Sequence, residues 1–135
     1  MPRTAAVRKP KPAAAATAAA FPIPALKPGE AYAGVILKDG VPTHHLVLLP
    51  GDECKPWKDA VAWAKDQGGE LPTRKEQALL FANCGALFKQ DWYWSGETHA
   101  RNADYAWVQS FDLGGQDVAR KSYALRCRAV RRVAI

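Results

Sequence analysis

The amino-acid sequence predicts an α+β domain, with two helices packed on a twisted antiparallel sheet, behind a disordered or extended N-terminal arm. Three observations predict this class. Residues 1–29 are rich in Ala, Pro and basic side chains and contain no acid. Residues 56–84 carry apolar side chains at helical spacing. From Trp92 onward the polarity alternates with a period of two, as in strands. The 135 residues therefore divide into an arm, 1–29, and one domain, 30–135.

The positive charge is concentrated in the arm. The net charge is +6, of which +5 comes from residues 1–29 and +1 from the rest of the chain. The arm has few apolar side chains to bury, so nothing offsets the entropy lost on ordering it. It serves either as a plain linker or as a tether to an acidic or assembled partner. The predicted basic patch joins arm residues to C-terminal arginines, namely Arg3, Arg8, Lys9, Lys11, Arg126, Arg128, Arg131 and Arg132.

The cysteines and the apolar runs indicate a reduced chain without a leader. Cys54, Cys84 and Cys127 cannot all pair within the chain, and no C-x-x-C motif is present. Reduced thiols are therefore expected. The N-terminal sequence lacks the leucine-rich core of a secretory signal peptide. No run approaches the roughly 20 apolar residues of a membrane span.

The first part of the domain contains a predicted hairpin and a first helix. Residues 31–37 and 44–49 are β-rich, and the turn signal Asp39-Gly40 lies between them. Pro56 suits the first position of a helix, where its missing N–H is not needed. The apolar stripe of this helix consists of Trp57, Ala60, Val61 and Ala64.

A capping box predicts where the second helix begins. In Thr73-Arg-Lys-Glu76 the threonine oxygen can accept the N–H of Glu76, while that carboxylate returns to the threonine N–H. The helix is expected to end near Cys84. The residues expected to bury it are Ala78, Leu79, Phe81 and Ala82.

The later part of the chain is predicted to be β-structure. Short strands are expected at 92–94, 105–111 and 118–121, followed by one last strand over 123–133. In the first of these, Tyr93 faces away from both neighbouring tryptophans, and at least one face is expected to be core. In the last strand one face carries Tyr123, Leu125, Cys127 and Ala129.

Five segments in this order resemble a known family. They read W-x-x-A-x-x-W-A at 57–64, G-G-x-L-P-T-R-x-E at 68–76, W-Y-W-S at 92–95, Y-A-W-x-Q-x-F at 105–111 and L-R-x-R-A-V-R at 125–131. Together they resemble the Lcl C-terminal domain (DUF1566), which prophage genomes often encode. The resemblance covers residues 32–133. It implies a C-type-lectin-like fold, which also occurs in formylglycine-generating enzymes and in phage receptor-binding proteins.

The resemblance also implies a ligand surface. In such proteins late strands and loops form this surface on a rigid core. Carried onto this chain, the ligand-binding residues are Trp94, Glu97, His99, Arg101, Asn102, Asp104, Tyr105, Trp107, Gln109, Asp112, Gln116 and Tyr123. The sugar-binding calcium motifs of true C-type lectins are absent, and Cys127 lacks the cysteine partner that secreted relatives often have at the end of the first helix.

Several chemistries are excluded by missing motifs. No glycine-rich phosphate loop and no G-x-S-x-G nucleophile motif is present. His44 and His45 are consecutive in a strand, so their rings point to opposite faces and do not share a metal. Cys84 has no sequence context that would activate its thiol. Asp52 and Glu53 lie beside a turn and are expected to face water. We therefore expect no catalytic residue, no metal and no cofactor.

The sequence thus favours a non-enzymatic phage or prophage binding or structural module, associated with a virion or its tail. It is expected to recognise either a protein or a surface glycan, without calcium. The candidate protein partners include other virion proteins. The alternative is an intracellular nucleic-acid-associated factor in which the arm and the C-terminal arginines bind phosphates. In that alternative the arginines face a partner, whereas otherwise they neutralise nearby acids. The expected location is the virion or the bacterial host cytoplasm. An oligomer is compatible with the sequence.

Overall fold

The computed structural model describes residues 22–135, so predictions for residues 1–21, including the basic residues Arg3, Arg8, Lys9 and Lys11, lie outside the described part. The described part is an α+β domain, as expected from the sequence. Its elements in chain order are β1 (Ala31–Lys38), β2 (Val41–Leu48), β3 (Glu53–Lys55), α1 (Trp57–Asp66), α2 (Arg74–Cys84), a 3₁₀ turn (Gly85–Leu87), β4 (Trp92–Thr98), β5 (Tyr105–Ser110), β6 (Gln116–Arg120), β7 (Leu125–Cys127) and β8 (Val130–Ala134).

The strands form two sheets instead of the single antiparallel sheet that was predicted. The small sheet has the order β1-β2-β8, and the large sheet has the order β3-β7-β4-β5-β6. All pairs are antiparallel except β4 and β7, which are parallel at Tyr93 and Arg126. Neither helix in the described part combines the length and apolarity needed to cross a membrane.

The predicted last strand is split between the two sheets. β7 pairs with β3 and β4 in the large sheet, whereas β8 pairs with β2 in the small sheet. The break falls at Arg128 and Ala129, where Leu49 N donates to Ala129 O at 2.9 Å. The strict alternation of polarity ends at this break, where the apolar residues Ala129 and Val130 are adjacent and are followed by two arginines. The sequence pattern therefore marks the break, and the prediction of one continuous strand overlooked it.

The predicted β1–β2 hairpin is confirmed. Lys38 pairs with Val41 across a two-residue turn. Both turn residues have positive φ, 52° at Asp39 and 80° at Gly40. This is the left-handed backbone of a two-residue hairpin turn, in which Asp-Gly is a preferred pair.

The core lies on both faces of the large sheet, because neighbouring residues of β4 point in opposite directions. Tyr93 is 1% exposed and packs in one cluster with Phe88 and Phe111, while Trp94 is 0% exposed and packs in the other. The first cluster also includes Leu46, Leu48, Leu80 and Val130. The second includes Leu49, Ala60, Ala64, Leu71, Val108 and Cys127.

The two helices differ in how well the apolar stripe predicted their buried face. In α1 Ala60 and Ala64 are fully buried, as expected. In α2 the capping box is present, but Ala78 and Ala82 are exposed. The buried residues of α2 are instead Glu76, Gln77, Leu80 and Cys84. The prediction holds only in part. Leu79 and Phe81 are half-buried and pack against the first core cluster. Glu76 and Gln77 are polar side chains with internal partners, and an apolar pattern does not register them.

The link between the helices lies directly on β8. Glu70 N donates to Val130 O at 2.9 Å, and Val130 N donates to Glu70 O at 2.8 Å. Gly69 precedes this bridge, and a Cβ atom added there would overlap the carbonyl oxygen of Val130 and lie 2.8 Å from Cδ1 of Leu49. The glycine is therefore required by the close approach of two backbones.

We predict that Gly69→Ala destabilises the domain by about 1–3 kcal/mol, because the added methyl group overlaps backbone that cannot rotate away. Thermal unfolding followed by circular dichroism measures the effect. Gly115→Ala is the matched control, since a Cβ there meets no atom within 4 Å and φ is not positive. Equal melting temperatures for the two variants would contradict this account of the link.

Candidate ligand-binding surface

A bulge in β4 directs one acidic side chain toward α2. Trp94 pairs with Val108 and Thr98 pairs with Ala106, so β4 advances four residues while β5 advances two. The intervening residues 95–97 leave the ladder, and Gly96 N donates to Pro72 O at 2.8 Å. Bulges of this kind re-aim side chains.

Two carboxylates hold the N-terminus of α2. Oε1 of Glu76 accepts Thr73 N at 2.9 Å, and Oε2 of Glu97 accepts Arg74 N at 2.7 Å. The first N–H groups of a helix have no partner within the helix. Here Glu76 of the helix itself supplies one acceptor, and Glu97 of the β4 bulge supplies the other. The start of α2 is therefore fixed to the large sheet.

The Glu76 carboxylate also fixes α2 to the small sheet. This side chain is buried, and besides Thr73 N it accepts Arg132 Nε at 2.7 Å and Nη2 at 2.8 Å. Nε2 of His44 lies 2.7 Å from its Oε2. Burial by itself would raise the pKa of Glu76, but the hydrogen bonds from Arg132, Thr73 N and His44 outweigh it and lower the pKa.

Arg74, the first residue of α2, is held flat against an indole ring. Its Cζ lies 3.5 Å from the centroid of the Trp107 ring, within cation–π distance. Its Nε donates to Oε1 of Gln116 at 3.0 Å. Nε2 of Gln116 in turn donates to Arg74 O at 2.8 Å and to Oε1 of Gln109 at 3.0 Å. Within residues 22–135 no hydrogen bond involves the two Nη atoms of Arg74.

The loop between β4 and β5 borders this guanidinium. His99 N donates to Tyr105 O at 2.8 Å, which closes the loop at its base. The His99 ring lies 5.8 Å from the Trp107 ring, centroid to centroid. Arg101, Asn102 and Asp104 are exposed at the tip. In the described part of the chain Arg101 makes no ion pair.

Three adjacent clefts share Glu97 as a lining residue, and two of them also share Arg74. The first, of about 370 Å³, lies toward α1 and is also lined by Trp57, Thr73 and Arg132. The second, of about 420 Å³, is lined by Lys75, Gln109 and Gln116 besides Arg74 and Glu97. The third, of about 390 Å³, is lined by Arg74, Glu97, Thr98, His99, Ala100, Arg101 and Trp107.

The predicted ligand residues divide into three groups. Those that lie together at the clefts are Glu97, His99, Arg101, Trp107, Gln109 and Gln116. Those that line none of these three clefts are Asn102, Asp104, Tyr105, Asp112 and Tyr123. Tyr123 borders a separate apolar groove with Trp92 and Leu125, and Tyr105 lies beneath the guanidinium of Arg120. Trp94 forms the third group by itself, because it is fully buried and reaches no cleft.

Two of these predictions require correction because the side chains are buried. Trp94 points into the core beside α1, and its Nε1 donates to Lys55 O at 2.8 Å. Gln109 is 1% exposed, and its Nε2 donates to Ser110 O at 2.9 Å. Gln109 therefore acts at the base of the second cleft as an acceptor for Gln116, not as an open contact.

Arg74 is the residue that sequence reasoning missed. A cation in the first turn of a helix is disfavoured by the helix dipole, and Arg74 directly follows the cap Thr73. This conflict is a sequence signal for a role outside the helix. Its partners Trp107 and Gln116 come from β5 and β6, far along the chain, so the sequence placed both on the ligand surface without showing that they contact Arg74.

The C-terminal arginines do not form the predicted open basic patch, because each has internal partners. Arg131 pairs with Glu30 at 2.8 Å, and Arg132 pairs with Glu76 and with Glu70. The hydrogen bonds from Arg131 and from Lys27 N lower the pKa of Glu30 to about 2. Of the two alternatives for these side chains, neutralisation of nearby acids is the one observed.

The remaining two arginines cross the junction of the sheets. Arg128 donates from Nη1 to Leu87 O at 2.6 Å and from Nη2 to Leu49 O at 2.8 Å. Arg126 Nε lies 3.2 Å from Oδ1 of Asp52. Asp52 was expected to face water; instead it is half-buried and accepts the Tyr93 hydroxyl at 2.6 Å. Burial and this hydrogen bond raise the pKa of Tyr93 to about 12.

The histidines and thiols give no support for catalysis or metal binding. Nδ1 of His45 lies 2.7 Å from the Tyr32 hydroxyl, and His44 faces Glu76, so the two rings are separated as predicted. Burial raises the pKa of Cys84 and raises that of Cys127 to about 11, which keeps both thiols protonated. Among residues 22–135 no group of three or more His, Cys, Asp or Glu side chains is arranged to hold a metal ion.

Comparison with known proteins finds no family model that matches this chain and no match among curated proteins.

We predict that Glu76→Gln lowers the free energy of unfolding by about 2–4 kcal/mol at pH 7, because it removes the charge that Arg132 and His44 face. The folded pKa of Glu76 lies below its ordinary value of 4.5, so its contribution is present above pH 4.5 and is lost as the pH falls through the folded pKa. Urea unfolding at several pH values measures this. The difference in the free energy of unfolding between wild type and variant should decrease below pH 4.5.

The control for this prediction is Glu53→Gln, which changes an exposed carboxylate and should alter stability by less than about 0.5 kcal/mol. A gap between wild type and Glu76→Gln that stays constant from pH 7 to pH 3 would show that the Glu76 charge does not stabilise the fold.

Proposed function

We propose that this chain is a non-enzymatic binding module of phage or prophage type, whose C-type-lectin-like domain recognises a protein or a surface glycan without calcium. The binding surface is the region of the three clefts around Glu97. One observation carries the proposal: the Arg74 guanidinium is fixed on Trp107 and lines a cleft together with the exposed Arg101, and neither of its Nη atoms has a hydrogen-bond partner within residues 22–135.

The geometry favours binding over catalysis. Enzymes need a nucleophile or a general acid or base whose pKa is tuned to its task. The polar groups that line the clefts are instead used to hold one another: Glu97 caps Arg74, and Gln116 joins Arg74 to Gln109. Such an arrangement gives a rigid recognition surface.

The assignment to a lectin-like fold rests on order and architecture. Two helices, a small sheet that brings β1 together with the C-terminal β8 strand through β2, and a second sheet of late strands are compatible with it. The sequence resemblance to the Lcl C-terminal domain supplies the phage or prophage context. Fold alone does not dictate function, so the proposal depends on the site.

The contacts of the C-terminal arginines argue against the nucleic-acid alternative. It required Arg126, Arg128, Arg131 and Arg132 to face phosphates, but these side chains bind carboxylates and carbonyl groups of the same domain. A protein that bound nucleic acid through the remaining basic residues would lose affinity steeply with added salt.

A direct test measures binding of the fluorescently labelled full-length chain to a printed array of bacterial surface polysaccharides and phage or bacterial surface proteins, with duplex DNA as a further probe. Binding to at least one surface ligand should persist in EDTA. Arg101→Ala should weaken it about tenfold, as expected for loss of a charged hydrogen bond. Lys58→Ala, exposed on α1 and outside the clefts, should leave it unchanged.

Two outcomes would overturn the proposal. Binding only to DNA, with a steep salt dependence, would support the nucleic-acid alternative instead. Binding that Lys58→Ala reduces as much as Arg101→Ala does would place the recognition surface elsewhere.

A further inference from the structure

We propose that the cleft between Arg74 and Arg101 binds the carboxylate of an acidic saccharide, of the uronic acid type. The inference rests on the proposed function and deepens it, because it selects one ligand class for the same surface. It follows from the state of the Arg74 guanidinium, from the charges around it and from the polar character of the cleft.

The Arg74 guanidinium is ready to bind a planar anion. The ring of Trp107, 3.5 Å away, and the bond from Nε to Gln116 fix its plane and its rotation. The remaining edge, with its two Nη groups, matches the two oxygens of a carboxylate. Because the side chain is already ordered, binding would lose little further conformational entropy.

The charges around Arg74 favour an anion. The third cleft contains two guanidinium groups, Arg74 and Arg101, and a single carboxylate, Glu97. Oε2 of Glu97 accepts Arg74 N at 2.7 Å, so one of its two oxygens is already used within the domain. The ammonium group of Lys75, next along α2, adds a further positive charge at the second cleft. The cleft therefore keeps a net positive charge.

The rest of the cleft suits a sugar better than an acidic peptide. The Thr98 hydroxyl can donate and accept hydrogen bonds with sugar hydroxyl groups, and the carboxylate of Glu97 can accept them. A protein partner would be expected to bury an aromatic or aliphatic anchor. Here the aromatic side chain of the cleft, Trp107, is half-buried, is already covered by Arg74 and has His99 close by.

The size of the cleft is consistent with a short saccharide. Its volume of about 390 Å³ lies near the lower end of the roughly 300–1,000 Å³ typical of small-molecule sites. The second cleft, of about 420 Å³, continues from it along Arg74 and Glu97. A chain of uronic acid units could therefore extend from one cleft into the other.

The test is a titration of the full-length, ¹⁵N-labelled chain with sodium glucuronate, followed by NMR. The Arg74 Nε–H and Trp107 Nε1–H signals should shift saturably. Glucose, which lacks the carboxylate, and triglutamate, which lacks the hydroxyl pattern, should each bind at least about tenfold more weakly, as expected for loss of charged hydrogen bonds.

Variants assign the effect to the guanidinium. Arg74→Lys keeps the charge but removes the planar fork, so glucuronate binding should fall at least about tenfold. Arg120→Lys is the matched control, since Arg120 also lies over an aromatic ring, Tyr105 at 5.2 Å, but lines none of the three clefts. Arg101→Ala, in the exposed loop, should weaken binding while leaving the melting temperature unchanged, which separates recognition from folding.

The outcomes are distinguishable. Equal shifts with glucose and glucuronate, equal affinity for triglutamate, or equal loss in Arg74→Lys and Arg120→Lys would each overturn the acidic-saccharide inference. If glucuronate fails while the array identifies a neutral glycan or a protein, this inference fails and the proposed function stands. If neither experiment detects binding, both fail.

Discussion

The buried carboxylate of Glu76 is the constraint on which the rest of the structure depends. It accepts hydrogen bonds from the start of its own helix and from Arg132 of β8, and it faces His44 of β2. An unpaired charge at this depth would be strongly destabilising, so all of these partners must be present together. α2 is thereby fixed in position and rotation on the small sheet, and Arg74, two residues earlier, is placed at the edge of the large sheet.

The bulge of β4 completes this arrangement from the other side. If β4 continued its regular ladder with β5, Glu97 would not leave the strand to cap Arg74 N. The bulge of the large sheet and the small-sheet partners of Glu76, Arg132 and His44, therefore act on the same few residues of α2. The candidate surface arises where these constraints meet, and its side chains are rigid because their backbone supports are.

Local signals predicted local structure well. The Asp39-Gly40 turn and the Thr73–Glu76 capping box are decided within four residues of sequence, and both are present in the structure. The errors concern long-range packing. Alternation identifies opposite faces of a strand but does not show which face is covered, and in β4 both are, so Trp94 was wrongly assigned to the surface. The switch of sheets between β7 and β8 falls where the alternation breaks, at the adjacent apolar residues Ala129 and Val130, a signal that the prediction of one strand passed over. The role of Arg74 was not predicted because its hydrogen-bond partner Gln116 lies 42 residues away in the sequence.

The closed base of the β4–β5 loop has a consequence for how this domain can diversify. The bond from His99 N to Tyr105 O anchors the loop, and residues 100–104 are all exposed and absent from both core clusters. Substitutions at this tip would change the contacts offered to a partner at almost no expense in folding free energy. The domain thus separates a packed frame from an exposed loop tip, so under the proposed function single substitutions at the tip would alter specificity without disturbing the frame.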